Sequence, residues 1–318
     1  MSHSKGFIFD IYRGTTHDGP GMRSTVFFKG CPLRCSWCHN PESISAKQQL
    51  WWEKNQCIGC GECVKACNDG NCIFGENGVI VDKEKCILCG KCVKACPTGA
   101  LEFVGKEVTV SEIFSEIKKY DAYYKNYGGG VTASGGEPLL QYGFVKEFFA
   151  LCKENGIHTA LDTCGAVPFE YFSEVLTLTD CVLFDIKLMD TTLHKRYTGQ
   201  ENEQIISNLL QIAEEKRKGK LNCDIWIRTP LIPHITATKE NIWEIASFIK
   251  ENLDDVVSRF EMCAFNKACI NKYEKLEIAW SLKDSPVISK ASAEEFRKIA
   301  EEKGLSKDKI VISGILAG

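Results

Sequence analysis

Short apolar runs separated by amphipathic stretches set the rhythm of most of this chain. The runs at 24–29 (STVFFK), 130–134 (GVTAS), 157–162 (IHTALD), 181–186 (CVLFDI), 223–229 (CDIWIRT) and 258–264 (SRFEMCA) are rich in β-branched and aromatic residues and predict strands. Between them apolar positions recur three and four apart, the spacing of one helix face. Val110, Ile113, Phe114 and Ile117 follow a capping box formed by Thr109 and Glu112; Phe144, Val145, Phe148, Phe149 and Cys152 form a second stripe, closed by Gly156. Helices are also expected at 168–177, 202–217, 238–252 and 292–303, with a short strand at 309–313. This alternation predicts an α/β fold with a parallel sheet or barrel and crossover helices.

Residues 50–105 break the rhythm, being rich in Cys, Gly, Lys and Asn without a long periodic segment. They read as a module inserted into an α/β unit made of 1–49 and 106–318. The module is internally repeated: CIGCGECVKAC (57–67) and CILCGKCVKAC (86–96) begin 29 positions apart. With few large aliphatic residues, a stretch of this size cannot stabilise itself by burial, so an inorganic cross-link is expected.

Charge narrows the field. The 318 residues carry 39 Lys+Arg against 42 Asp+Glu, a formal net charge of −3. The basic residues are scattered, so nucleic acid is not an expected partner. The first ten residues, MSHSKGFIFD, lack a signal-peptide core, and no apolar run approaches the roughly 20 residues that span a bilayer. A cytosolic location without membrane contact is expected. Eighteen cysteines in such a compartment would stay reduced, which points to metal rather than disulfides.

Each repeat reads C-x2-C-x2-C-x3-C: Cys57, Cys60, Cys63 and Cys67, then Cys86, Cys89, Cys92 and Cys96, with Pro97 after the last. This is the spacing of ferredoxins with two [4Fe–4S] clusters, in which the fourth ligand crosses from the other repeat. Cluster one is assigned to Cys57, Cys60, Cys63 and Cys96, and cluster two to Cys86, Cys89, Cys92 and Cys67. Structural zinc is the competing reading, but zinc modules use separated pairs and often histidine. The first repeat has Asn68 in place of the proline, and Cys72 is close enough to replace Cys67.

A different constellation follows the first strand. Cys31, Cys35 and Cys38 stand at C-x3-C-x2-C with no fourth cysteine before Cys57. Three thiolates bind three irons of a cubane and leave the fourth open to an exogenous ligand, as an open position marks a catalytic metal site. A cysteine-rich turn or half a zinc site is the plain alternative.

C-x3-C-x2-C after a strand resembles the signature of radical S-adenosylmethionine (SAM) enzymes. The longer run GPGMRSTVFFKGCPLRCSWCHN, residues 19–40, is similar to that of glycyl radical enzyme activating enzymes. The module resembles the ferredoxin-like insert of the subgroup that activates glycyl radical lyases, dehydratases and decarboxylases. This resemblance implies a partial (β/α)6 radical SAM barrel with an inserted two-cluster domain, three [4Fe–4S] clusters in all. It implies that SAM chelates the open iron of the cluster on Cys31, Cys35 and Cys38. It also implies that Gly135, Gly136 and Glu137 of GGEP hold the SAM ammonium, and that Lys187 lies near its carboxylate. Asp162, Thr163 and Asp185 would surround a monovalent cation, and Arg228 would face SAM or the partner backbone. Asp18 and Gly19 of the His17–Gly21 turn would receive the partner's glycine loop, although Asp-Gly-Pro-Gly is also ordinary turn chemistry. Where the family has a histidine after the sixth strand, this chain has Asn266, which can hydrogen-bond but carries no charge.

The implied activity is reductive cleavage of SAM to methionine and 5′-deoxyadenosine, with hydrogen abstraction from a glycine Cα of a partner glycyl radical enzyme. Reduced ferredoxin or flavodoxin would be the donor. Two alternatives stand beside it: a radical SAM enzyme acting on a small molecule or peptide, and an electron-transfer or iron-sensing protein built on the insert. His17, His39, His158, His194 and His234 read as packing or surface residues, Cys152, Cys181, Cys223 and Cys263 as small core hydrophobes, and Trp51 and Trp52 as packing between insert and barrel.

Overall fold

The computed structural model describes residues 4–76 and 78–318. Its strands in chain order are β1 (Lys5–Thr15), β2 (Arg23–Phe28), β3 (Gln49–Trp52), β4 (Cys72–Gly75), β5 (Gly78–Val81), β6 (Leu101–Val104), β7 (Lys106–Thr109), β8 (Gly130–Gly135), β9 (His158–Thr163), β10 (Cys181–Asp185), β11 (Asp224–Leu231), β12 (Val257–Ala264) and β13 (Ile310–Ser313). The main sheet runs β13-β12-β11-β10-β9-β8-β2-β1-β7. From β2 to β13 the neighbours are parallel, and β1 and β7 add an antiparallel edge.

The expected α/β alternation is present, with helices connecting the parallel strands. Thr109 and Glu112 form the reciprocal capping box at the start of Val110–Lys118. Phe144, Val145, Phe148, Phe149 and Cys152 are buried on the helix Tyr142–Glu154. These side chains pack on Val26, Phe28, Val131, Ala133, Leu161, Val182, Phe184, Ile225, Ile227, Phe260 and Met262, forming the main core on the outer face of the sheet.

Period-two alternation then sends the intervening strand residues to the inner face. Register aligns Thr25, Thr132, Ala160 and Cys181 in one layer across β2, β8, β9 and β10. Asp185, Arg228 and Glu261 are aligned nearer the C-terminal strand ends. One face of the sheet is therefore apolar and covered by helices, while the other is polar yet largely buried. This arrangement is what builds a site.

Several elements lie outside the sequence expectation. The long strand β1 carries register irregularities between Ile8 and Asp10 and between Arg13 and Thr15, and these erase its alternation. The helices Asp121–Tyr127, Thr191–Thr198 and Ile270–Leu276 are short and bury few side chains, so they leave little periodic signal.

Between Gln49 and Val104 the chain forms two antiparallel pairs, β3 with β6 and β4 with β5, and two five-residue helices, Glu62–Ala66 and Lys91–Ala95. Its buried cluster consists of Leu50, Val79 and Leu101 with Cys63, Cys72 and Cys92. So small an aliphatic core fits a segment that depends on its cysteines. Among the described residues, no helix is long and apolar enough to cross a membrane.

Candidate active site

The loop after β2 is held as a closed ring. Gly30 N donates to Ser43 O at 2.7 Å and Cys31 N to Ile44 O at 3.2 Å. Arg34 N and Ser36 N donate to Thr198 O and Tyr197 O at 2.6 and 2.9 Å, tying the loop to the end of the helix Thr191–Thr198. Cys31, Cys35 and Cys38 are therefore held on a short constrained segment, all free and partly exposed. Burial pushes the Cys35 thiol up to about 12 against the opposing charge of Lys187, and raises Cys38 further. A hydrogen bond from Cys164 lowers Cys31 despite its burial. Cys164 had no role in the sequence reading; only its place directly after Asp162-Thr163 signals it.

The GGEP turn leans on this ring. Gly136 N donates to Phe28 O at 2.9 Å and Glu137 N to Gly30 O at 2.7 Å. A Cβ at Gly136 would stand 2.1 Å from Gly30 O, so only glycine permits the approach. Glu137 itself is fully buried. Its Oε1 accepts from Leu139 N at 3.1 Å, its Oε2 accepts from Cys164 N at 2.8 Å, and Thr163 Oγ1 lies 2.9 Å from both. Burial raises the carboxyl while these donors pull it down. The partly exposed surface at this corner belongs to Gly135 and Gly136 rather than to the Glu137 side chain.

Charged groups line the inner face beside the ring. Lys187 Nζ donates to Asp185 Oδ2 at 2.5 Å and is nearly buried. Burial works against its charge, but Asp185, with Cys35 and Cys164 nearby, holds Lys187 firmly protonated. Asp162 accepts from Ser134 Oγ at 2.7 Å and from Arg228 Nη1 at 3.4 Å. Burial pushes its carboxyl up to about 6, with Arg228 opposing. Arg228 also pairs with Glu261 at 3.2 Å and donates to His17 O at 3.3 Å. Ser134 and Glu261 were not anticipated, although both occupy the alternate positions of predicted strands.

The turn His17–Gly21 is wedged against the same face. Asp18 Oδ2 accepts from Thr25 Oγ1 at 2.7 Å, and Asp18 O accepts from Thr132 Oγ1 at 2.6 Å. Arg23 is wholly buried; its Nε donates to Thr132 Oγ1 at 2.7 Å and its Nη1 to Pro20 O at 2.9 Å. The turn is thus braced from β2, β8 and β11.

Farther off, the cysteines of the repeated segment line two cavities. One is bordered by Cys57, Cys60, Cys63 and Cys96, the other by Cys67, Cys86, Cys89 and Cys92, with Cys72 also on its wall. In each cavity three sulfurs come from one repeat and the fourth from the other. Burial pushes the Cys72 thiol up to about 12, with Cys63 adding to the rise.

Asn266 lies just after β12 and is partly exposed. Its Oδ1 accepts from Ala268 N at 3.0 Å, and its carbonyl accepts from His39 Nε2 at 3.1 Å. His194 is a buried packing histidine bonded to Gln200 O, and His158 sits beside Arg23. Cys152, Cys181 and Cys223 are buried, whereas Cys263 is half-buried on the inner face near Arg228. Trp51 meets Lys275, 4.6 Å from its ring, but Trp52 packs within the stretch from Gln49 to Val104, where a Cβ on Gly78 would strike its ring.

A mixed α/β sheet with three cysteines on the loop after its first parallel strand and GGEP after the next defines a class. The radical SAM superfamily matches residues 25–249. The chain is 38% identical over 301 residues to the (2S)-3-sulfopropanediol dehydratase activating enzyme of Klebsiella oxytoca, covering 93% of each chain. It is 37% identical to the trans-4-hydroxy-L-proline dehydratase activating enzyme of Clostridioides difficile, covering 92% of this chain and 95% of that one. A radical SAM methyltransferase from Sphaerobacter thermophilus shares the fold, with a TM-score of 0.53 at 12% identity, over 97% of this chain and 73% of the other. The chain belongs to the radical SAM superfamily, and within it to the activating enzymes of glycyl radical enzymes.

Proposed function

We propose that this protein draws a hydrogen atom from a glycine Cα of a partner glycyl radical enzyme, consuming SAM and releasing methionine and 5′-deoxyadenosine. The observation that carries this reading is Arg228, which contacts both Asp162 beside the cysteine ring and the His17 carbonyl of the braced turn. Cofactor residues and partner-loop residues then share one polar face.

The donor set fits the cofactor. Cys31, Cys35 and Cys38 would hold three irons of a [4Fe–4S] cluster, leaving the fourth for SAM. A cluster held there would supply the one-electron reduction on which cleavage of SAM depends. The protein's own task is binding, orientation and exclusion of water. The partly exposed backbone of Gly135 and Gly136 serves the SAM ammonium. Glu137, turned inward, fixes the ends of β8 and β9 through Leu139, Thr163 and Cys164. Lys187, held protonated by Asp185, serves the SAM carboxylate, and Asp162 with Asp185 and Thr163 offers oxygens to a monovalent cation. Asp18 and Gly19 meet the partner's glycine loop, with the Asp18 carbonyl held by Thr132 and the Pro20 carbonyl that follows held by Arg23.

For residues 50–105 we infer a ferredoxin-like domain with two further [4Fe–4S] clusters, one on Cys57, Cys60, Cys63 and Cys96 and one on Cys86, Cys89, Cys92 and Cys67. The crossed composition of the two cysteine-lined cavities supports this ligand set. Reduced ferredoxin or flavodoxin is the proposed electron source.

Anaerobic reconstitution tests the reading. About twelve irons per chain are expected from three [4Fe–4S] centres. Cys35→Ala should abolish 5′-deoxyadenosine formation and leave the insert centres loaded, and continued SAM cleavage by that variant would refute the assignment. Incubation with a partner enzyme should produce a glycyl radical visible by electron paramagnetic resonance (EPR).

A further inference from the structure

The segment after β12 carries no histidine, yet it returns to the cysteine ring and grips it from behind. Tyr273 Oη donates to Cys38 O at 2.9 Å, and Trp280 Nε1 donates to Ser36 O at 3.0 Å. His39 Nε2 donates to Asn266 O at 3.1 Å. Lys272 Nζ donates to Asn40 Oδ1 at 2.8 Å and pairs at 2.6 Å with Glu42, which is 1% exposed. The Tyr273 and Trp280 rings stack 5.1 Å apart, and Phe265 packs against Trp280 at 5.9 Å. A loop that must present three thiols at fixed separations is thus held by its carbonyls and flanking side chains, from Ser36 to Glu42.

The same short helix, Ile270–Leu276, is fastened to the inserted segment. Lys275 pairs with Glu53 at 2.6 Å and lies over the Trp51 ring. Lys83 Nζ donates to Leu276 O at 2.7 Å and pairs with Glu277 at 2.6 Å. Glu277 takes a left-handed conformation, φ 58°, to end the helix where its carboxylate meets Lys83. Few side chains of this helix are buried, so these polar ties largely define its place.

We propose that Tyr273, Trp280 and Lys272 are positioning residues for the three-cysteine loop, and that the helix Ile270–Leu276 couples this loop to the insert. Seating of the insert thereby sets the environment of the SAM-binding centre. Hydrogen bonds around a cluster and its ligands tune both its potential and its retention, and Tyr273 and Trp280 act at that level through the backbone of the loop. The proposal rests on the reading of Cys31, Cys35 and Cys38 as cluster ligands.

The test uses the full chain, reconstituted anaerobically, with EPR of the reduced protein, a redox titration, and iron release to a chelator. The centre whose signal changes on adding SAM is the one on the cysteine ring. Tyr273→Phe keeps the stacked ring and removes only the hydroxyl. It should shift the midpoint potential of the SAM-responsive signal and release that centre's iron about tenfold faster, the worth of one buried hydrogen bond. Lys275→Met touches the insert but not the ring, and should move the same signal in the same direction by less. A SAM-responsive signal unchanged in potential and iron release by Tyr273→Phe overturns the positioning role. An effect of Lys275→Met confined to the insert signals overturns the coupling. A parent protein with no SAM-responsive signal overturns the cluster assignment itself, and the two failures are thereby distinguished.

Discussion

Replacing Glu137 by glutamine changes one atom in size and shape very little, yet every group facing that side chain is a donor. Oε1 receives Leu139 N, Oε2 receives Cys164 N, and the Thr163 hydroxyl lies equally close to both oxygens. An amide in either orientation sets its NH2 against one of the two backbone N–H groups. Two buried donors then go unsatisfied, at about 1–3 kcal/mol each. Against this stands relief from burying a charge, since burial raises this carboxyl. Taking donor loss as the larger effect, Glu137→Gln should lose about 2 kcal/mol of stability, a sizeable share of the roughly 5–15 kcal/mol typical of a folded domain. Urea unfolding of parent and variant without SAM measures this directly. SAM affinity, read separately by calorimetry on the reconstituted protein, should fall as the corner between β8 and β9 loosens. A variant as stable as the parent, or more so, would show that charge burial outweighs the donors and would refute the reasoning.

Thr132→Val removes the donor to Asp18 O and the acceptor for Arg23 Nε while keeping the side chain's shape. It should cost about 2–4 kcal/mol and depress radical formation on the partner more than SAM cleavage in its absence, measured side by side. Gly136→Ala drives a Cβ to 2.1 Å from Gly30 O, so the ring and the GGEP turn must separate. On the proposed three-cluster reading, iron analysis should then show a loss of about four of twelve irons, with the two proposed insert centres retained. Lys29 is buried, and burial lowers its ammonium to about 8 against the opposing charge of Glu42. The unfolded chain keeps that proton to about 10.4, so the cost of burying the charge is full below about 8 and fades as pH rises to about 10. Relative to Lys29→Met, the parent should therefore gain stability over that window, about 2 kcal/mol by urea unfolding at pH 7.5 and 10; a flat difference would sink the argument.

The outer core was readable because it obeys simple periods. Phe144 to Cys152 and the strand runs carried their apolar spacing into the fold, and Thr109 with Glu112 announced a helix start that the structure contains. β1 was not readable, because two register irregularities cancel its alternation. Spacing brought Cys31, Cys35 and Cys38 forward, and the family resemblance pointed to Asp162, Asp185 and Arg228. Ser134 and Glu261 escaped notice because a hydroxyl and a carboxylate inside strand-like runs resemble the solvent face of an ordinary sheet, and Cys164, just past the end of β9, carries no ligand spacing.

That confusion has a physical resolution. In a sheet covered by helices on one side, polar residues at alternate positions normally point to water and need no partner. Here Arg23, Thr25 and Thr132 are wholly shielded from solvent, and each has a defined hydrogen-bond partner. A buried polar layer must be satisfied internally or by a ligand, since an unpaired group costs more than a well-made bond returns. The lower layer is satisfied internally and fixes the turn at Asp18. Higher up, among the described residues, Asp162, Asp185 and Glu261 meet only Lys187 and Arg228 as cationic partners, and burial still holds Asp162 raised. The incompletely neutralised end is the one next to the cysteine ring. Electrostatics therefore sorts the inner face into a part that holds the protein's own turn and a part suited to a cationic ligand.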